Sequence, residues 1–271
     1  MPLVDTAQAD KPNMLRILHP SPSPQDNILP TLPHDSPLVT VRGDTDLVKL
    51  INKMVNGSAP GPSGWTIEMV HTLVQDPDCL SGLALLIQDI TNGTLPDSIK
   101  PFLLSSKLIG LDKNAGTSIR PIAIGEIFYR IAAYRAQQNI RDQACEILQP
   151  IQLGVGTPNG CESIIRNLQH ALELPHHPIA ALAIDFKNAF NSISRKAMLK
   201  ALCAQPTLES LWRLVNFAYS SPSDLLIRDH NHNLYAGLSS TQGVRQGDPL
   251  SSLLFTLTIQ PVYQATIQQH P

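Results

Sequence analysis

Three short stretches combine residue types that could do chemistry. The first is A-I-D-F-K-N-A-F-N-S-I (183–193). The apolar run that precedes it predicts a buried strand over 178–186, with Asp185 delivered at its end. A carboxylate so placed suits a hard cation such as Mg²⁺, which takes one or two carboxylates plus phosphate oxygens and water. It equally suits capping of the next turn. The second stretch is S-S-T-Q-G-V-R-Q-G-D-P-L-S (239–251), with two Gln-Gly pairs and Arg245 just before a helix start. Glycine lets another chain approach the backbone closely, and free N–H groups at a helix start favour anions. Alternatively Asp248 is simply an N-cap, with Pro249 at the first helical position. The third is K-L-I-G-L-D-K-N-A-G-T-S-I-R-P-I-A (107–123), where Lys107, Lys113 and Arg120 fall on a two-stranded flap. Point-charge Lys and forked Arg suit a triphosphate, although a solvated basic face has the same pattern. Arg130, Arg135 and Arg141 continue the positive charge.

The surrounding pattern must position these groups. Residues 1–42 form a lead-in expected to be extended or disordered; 8 of the 23 prolines lie there. Asp44 or Thr45 caps a helix with Leu47, Leu50 and Ile51 on its apolar face, ended by Gly57. Helices follow over about 67–75 and 81–91. Strands are expected over 102–111 and 118–124, then one long helix over 125–148. A glycine-punctuated loop (153–160), a helix (162–172), the Asp185 strand and helices at 194–204 and 208–219 come next. A hairpin over 224–238 turns at 230–233, and an apolar helix covers 249–269. Irregular mixing of helix and strand predicts an α+β class rather than a doubly wound one.

Composition bounds the rest. The chain has 271 residues, 42% hydrophobic, with a formal charge of −2. That excludes a disordered chain and a globally basic nucleic-acid binder, but not a local basic patch. No apolar run reaches the roughly 20 residues of a membrane span, and no secretory leader is visible. Cys79, Cys145, Cys161 and Cys203 are widely spaced, without a C-x-x-C pair, so an intracellular, reduced protein is expected. There is no P-loop and no H-E-x-x-H, and Ser63 in G-P-S-G lacks nucleophile-elbow spacing. His176, His177, His230 and His232 read as polar surface.

The order of flap, strand-end Asp and Q-G-D-P-L-S is far more specific than any part. Together with GPSGWT, SIRPIAIGEIFYRIAA, LGVGTPNGCESI, AIDFKNAFNSI and GVRQGDPLSSLLF, it resembles the reverse transcriptase domain of non-LTR retrotransposons. The resemblance runs from about Asp44 to Gln269, with Ser63 where that family commonly has an acid. It implies a right-hand polymerase with an antiparallel palm sheet backed by helices and the Asp185 strand at its centre. By position, Asp185 would be the catalytic, metal-binding carboxylate and Phe186 would lend its main-chain carbonyl to a metal. Lys113 and Arg120 would grip the triphosphate. Phe190 would lie beneath the sugar and favour deoxynucleotides, and Gln246 and Gly247 would line the nucleotide and template side. The implied cofactor is Mg²⁺, with Mn²⁺ as a substitute. The implied partners are an RNA template, a DNA primer and deoxynucleoside triphosphates, with no membrane.

One family motif, aromatic-x-Asp-Asp, occurs nowhere in the sequence. The expectation is therefore a partial domain over 43–271, comprising fingers and an incomplete palm without a thumb. As an isolated polypeptide it is expected to be inactive, because two metal ions need several carboxylates. The alternative is a non-catalytic, nucleic-acid-binding remnant.

Overall fold

The computed structural model describes residues 3–4, 11–33, 35–113, 118–174, 181–228 and 234–269. Strand β1 (Leu3–Val4) and helix α1 (Lys11–Ile17) lie inside the proline-rich lead-in, where the sequence predicts no regular structure. Pro12 is tolerated because it falls in the first turn of α1, where its missing N–H is not needed. Met14 and Leu15 then pack onto the sheet. Beyond α1 the lead-in is held by side chains from elsewhere. Asn92 bonds both backbone groups of Val39, at 2.8 and 2.9 Å, and Gln88 accepts from the Val41 N–H at 3.0 Å.

Helix α2 (Thr45–Lys53) starts at the Asp44 cap, whose carboxylate accepts from the N–H groups of Asp46 and Leu47. Helix α3 (Ile67–Leu73) starts at Thr66 in the same way. Helix α4 (Pro77–Asn92) begins four residues earlier than its periodicity suggests, because Asp76 caps it and Pro77 opens it. The strand expected from Phe102 begins later. Residues Lys100–Leu104 form helix α5, with Pro101 in its first turn, and β2 spans Ser106–Asp112. Strand β3 (Ile119–Gly125) pairs antiparallel along the whole of β2. The single long helix divides at Ile140 into α6 (Ile127–Asn139) and α7 (Arg141–Leu148), and Ile140 is buried at the break.

Helix α8 (Gly160–Glu173) is followed by α9 (Ala189–Ser192), α10 (Arg195–Cys203) and α11 (Glu209–Tyr219). Strands β4 (Ser223–Arg228) and β5 (Leu234–Ser240) form the expected hairpin, and α12 (Ser251–Gln269) closes the described chain. The expected turn at 230–233, the histidines at 176, 177, 230 and 232, and the start of the Asp185 strand (178–180) lie outside the described residues.

The sheet is mixed, not wholly antiparallel as the resemblance implies. Strand β3 occupies one edge of β2. The other edge is shared between β4, parallel at Ser106↔Leu225, and β1, antiparallel at Leu3↔Leu111. One face of β2, β3 and β4 buries Leu108, Ile119, Ala123, Leu225 and Ile227 beneath Leu15. A separate, larger core joins α2, α3, α4, α6, α7, α10, α11 and α12 through residues such as Ile51, Ile87, Ile131, Leu199 and Leu254.

The expected central strand is overturned. Residues 181–186 have no strand hydrogen bonding, and Leu182 and Ile184 are 85% and 64% exposed. An unbroken apolar run makes a central strand only where neighbouring strands pair with it and both faces are covered. Among the described residues no strand lies beside this one.

Candidate active site

The glycine-rich stretch before α12 is clasped at both ends. At one end the Val244 N–H donates to the Phe190 carbonyl at 2.8 Å. Gly243 has φ 66°, and a Cβ there would collide with the backbone of Phe190 and Asn191. At the other end the Ala123 N–H of β3 donates to the Gln246 carbonyl at 2.7 Å. Gly247 has φ 122°, and a Cβ would sit 2.5 Å from the Ala123 oxygen. Two close backbone approaches therefore require glycine at both positions. One continuous loop ties the segment just after Asp185 to the basic hairpin.

The turn after Asp185 has its own lock. Asn188 adopts φ 54°, a conformation Asn tolerates better than most residues. Its amide donates to the Leu18 carbonyl at 2.9 Å, while its oxygen accepts from Asn191 at 3.1 Å. Nearby, Ser194 donates to Asp26 at 2.7 Å and Lys196 to the Gln25 carbonyl at 2.6 Å. The lead-in thus lies across the entry to α10.

A buried polar network lies beneath the loop. Arg245 pairs with Asp248 at 3.1 Å and donates to the Leu104 carbonyl at 3.2 Å and to the Ser223 hydroxyl at 3.0 Å. The hydroxyls of Tyr129 and Tyr219 both donate to Asp248 Oδ2 at 2.7 Å. Arg245 also lies over both rings, 5.3 and 4.7 Å from their centroids. Arg195 also lies over the Tyr219 ring, 5.2 Å from its centroid, and donates to the carbonyls of Gly243 and Ser240, each at 2.9 Å. Burial, reinforced by the Asp248 charge, pushes both phenols well above their ordinary range. Burial and then the Arg245 charge lower the Arg195 guanidinium to about 10, so it stays protonated at neutral pH. A buried ion pair is tolerable when its remaining polar atoms are satisfied, as these are.

This network takes up Arg245, one of the residues noted before the helix start. Arg245 is 4% exposed and its donors are taken by the protein. The capping alternative fails: Asp248 accepts from the Leu250 N–H at 2.9 Å within the turn before α12, not at the helix start. Helix α12 starts at Ser251, two residues beyond Pro249. Sequence reasoning missed Tyr129, Tyr219 and Arg195. The only available signal was the opposite charges of Arg245 and Asp248 three residues apart.

The remaining candidate residues are distributed around this loop. Asp185 is exposed in its extended segment. Phe186 and Phe190 meet the same ring, Phe255 of α12, edge-on at 5.9 and 5.3 Å. Gln246 is half-buried and Gly247 exposed. Arg120 is half-buried on β3, opposite Leu111, and Lys113 is exposed at the hairpin's end, its N–H bonded to the Ser118 carbonyl at 3.0 Å. Counting along β3, Arg120 is about 10 Å from Ala123, and Lys113 is about 17 Å along β2 from Ala123's partner Leu108, at roughly 3.3 Å per residue. The structure therefore brings Gln246 and Gly247 to Ala123, not to Lys113 or Arg120.

Among the described residues no three His, Cys, Asp or Glu side chains gather closely enough to hold a metal ion. Asp185 contributes a single carboxylate, so these residues do not by themselves form a two-metal centre. The four cysteines are unpaired, and among the described residues no helix is long and apolar enough to cross a membrane.

Residues 111–270 match the reverse transcriptase (RNA-dependent DNA polymerase) family, which takes in the hairpin end, the Asp185 segment and the clasped loop. The chain belongs to that family, whose members use nucleic acid and nucleotide substrates and generally depend on divalent metal. It is 30% identical over 232 residues to the retrotransposable element SLACS 132 kDa protein of Trypanosoma brucei gambiense, covering 85% of this chain and 19% of that protein. It is 26% identical over 221 residues to the transposon TX1 uncharacterized 149 kDa protein of Xenopus laevis, covering 80% of this chain and 16% of the relative. The chain thus corresponds to less than a fifth of either relative's length, and it carries the reverse transcriptase domain of a retrotransposon-type protein.

Proposed function

We propose that residues 43–271 are part of a reverse transcriptase domain, the fingers and the Asp185-bearing portion of the palm, serving RNA-templated DNA synthesis. Asp185 supplies a metal-ligating carboxylate, and the Phe186 carbonyl a second oxygen toward Mg²⁺ or Mn²⁺. Lys113 and Arg120 hold the triphosphate of an incoming deoxynucleotide. Phe190 underlies its sugar, and Gln246 and Gly247 line the nucleotide and template side, with an RNA template and a DNA primer as the remaining partners.

The observation that carries this reading is the double clasp of the loop, at Phe190 on one side and Ala123 on the other. It couples the basic hairpin to the Asp185 segment through a backbone that only glycine allows, which is the positioning nucleotidyl transfer needs. Stabilising both attacking and leaving oxygens takes carboxylates beyond Asp185. The isolated chain is therefore expected to bind template–primer in a salt-sensitive way without extending it.

The test is primer extension on an RNA template with Mg²⁺, alongside template–primer binding. Binding without extension supports the proposal. Robust synthesis abolished by Asp185→Asn overturns the claim of inactivity. Absence of template–primer binding at low salt overturns the polymerase reading itself.

A further inference from the structure

A groove lined by none of the residues of that site runs along α2, α6 and α7. It consists of two adjoining cavities of about 460 and 370 Å³ that share Leu50 and Tyr134 as walls. The larger is closed on its far side by the glycine loop at Val155, Gly156, Thr157 and Pro158. Tyr134, Gln137, Gln138 and Arg141 face the larger cavity at the i, i+3, i+4 and i+7 spacing of a single helical stripe, which persists across the break at Ile140. Lys53 and Arg130 line the smaller one.

Three features of the groove point the same way. Its charge is one-sided: Lys53, Arg130 and Arg141 line it and no Asp or Glu does, in a chain whose net charge is −2. Most of its polar groups are unused: Arg130 donates to the Ala59 carbonyl and Thr157 accepts from Gln149, but among the described residues the side chains of Lys53, Tyr134, Gln137, Gln138 and Arg141 make no hydrogen bond or ion pair. An aromatic ring, 37% exposed, stands where the two cavities meet, with cations on either side. Cations spaced along a groove with an aromatic face between them are what a single-stranded nucleic acid uses, phosphates to the charges and a base stacked on the ring. The free amides of Gln137 and Gln138 match the hydrogen-bonding edge of such a base. Each cavity has a volume on the scale of a single nucleotide.

We propose that this groove binds single-stranded nucleic acid, one base stacking on Tyr134 while Lys53 and Arg141 contact phosphates on either side. The inference rests on the polymerase reading for its class of ligand, but uses none of the residues of that site.

The test is fluorescence anisotropy of the whole chain with 5′-fluorescein-labelled 12-nucleotide oligo(U) and oligo(dT) over a salt series. Tyr134→Ala is expected to weaken binding about tenfold, and Tyr134→Phe to restore it, because stacking needs the ring and not the hydroxyl. Lys53→Gln combined with Arg141→Gln is expected to reduce the log–log salt slope by about 1.4, roughly 0.7 per lost contact. Thermal melts of each variant separate loss of binding from loss of fold. Stronger binding of one oligomer identifies the strand as RNA or DNA, and either supports the site. Unchanged binding by folded Tyr134→Ala, an unchanged salt slope in the double variant, or more effective competition by a blunt hairpin duplex overturns it. Primer extension with Tyr134-independent oligomer binding removes the groove and leaves the polymerase. Tyr134-dependent oligomer binding by a chain that binds no template–primer does the reverse.

Discussion

The backbone N–H of Ala123 donates to the carbonyl of Gln246 at 2.7 Å, although 123 residues of sequence separate them. Ala123 sits in β3, and its own side chain faces the small core under Leu15. Its main chain therefore does two jobs at once: it continues the hairpin, and it fixes the height of the loop that follows Gly243. Any displacement of β3 moves Gln246 with it.

Gly247→Ala tests that coupling. The substitution adds a methyl 2.5 Å from the Ala123 oxygen, at φ 122° where an L side chain is strained. Strain of this kind costs about 1–3 kcal/mol, and the loop must also leave β3 to relieve the clash. The expected result is a lower urea midpoint together with faster amide exchange at Ala123. A midpoint equal to that of the parent chain would count against the clasp.

The two phenols on Asp248 offer a second test. Tyr129→Phe and Tyr219→Phe each remove one 2.7 Å hydrogen bond to the same carboxylate oxygen and leave the ring under Arg245 intact. A hydrogen bond to a charged group contributes about 1.5–3 kcal/mol, so each variant should be measurably less stable. The double variant should depart from additivity, because both bonds end on one atom. Denaturant melts of the four proteins give the coupling directly, and strict additivity would show that the two hydroxyls act independently.

Acid should loosen the lead-in before the helical core. Burial lowers the His19 pKa below 6.5, partly countered by its 2.7 Å contact with the Leu15 carbonyl. A lowered folded value means the unfolded chain binds the proton more tightly, so stability falls as pH drops below about 6.5. A second decline belongs to Asp44 and Asp76, whose carboxylates are held below their ordinary values chiefly by N–H donors of the helices they cap. Their contribution is present above the ordinary carboxylate pKa and is lost as pH falls below about 4. Stability measured from pH 7 to pH 3 should decrease in both intervals. His19→Gln should flatten the upper interval, while Asp44→Asn combined with Asp76→Asn should flatten the lower.

Much of this arrangement was legible in the residues. Local signals located the helices: Asp44 as a cap and the apolar face of Leu47, Leu50 and Ile51 placed α2, while the caps at Thr66 and Gly93 emerged only in the structure. The alternation of β2 and β3 placed the hairpin correctly from Ser106 onward. The failures came where tertiary partners decide. The run to Asp185 has strand composition, yet composition does not supply neighbouring strands, and Leu182 and Ile184 stay exposed. Ile164, Ile165 and Leu172 of α8 are exposed for a comparable reason, an apolar stripe with no described element against it. In the site, Gln246 and Gly247 were visible as glycine-flanked residues before a helix. Tyr129 and Tyr219 were not, because a buried hydroxyl looks like any aromatic core position until its acceptor is known.

Phe255 should control the Asp185 segment more than its position in α12 suggests. The rings of Phe186 and Phe190 both meet it edge-on, so one side chain holds the residue that follows Asp185 and the residue whose carbonyl anchors Val244. Each aromatic pair is worth about 0.5–1.5 kcal/mol beyond area burial, so Phe255→Leu should lose about 1–3 kcal/mol from the two together while keeping most of the volume. The loss should be local, because Phe255 is half-buried and the fully buried Leu253 and Leu254 still anchor α12. Limited proteolysis is the measurement. Cleavage after residues 186–190 should accelerate in Phe255→Leu, while the global melting temperature changes little. Equal cleavage rates in the two proteins would mean that the hydrogen bonds of Asn188 and of the Phe190 carbonyl hold the segment without the aromatic contacts.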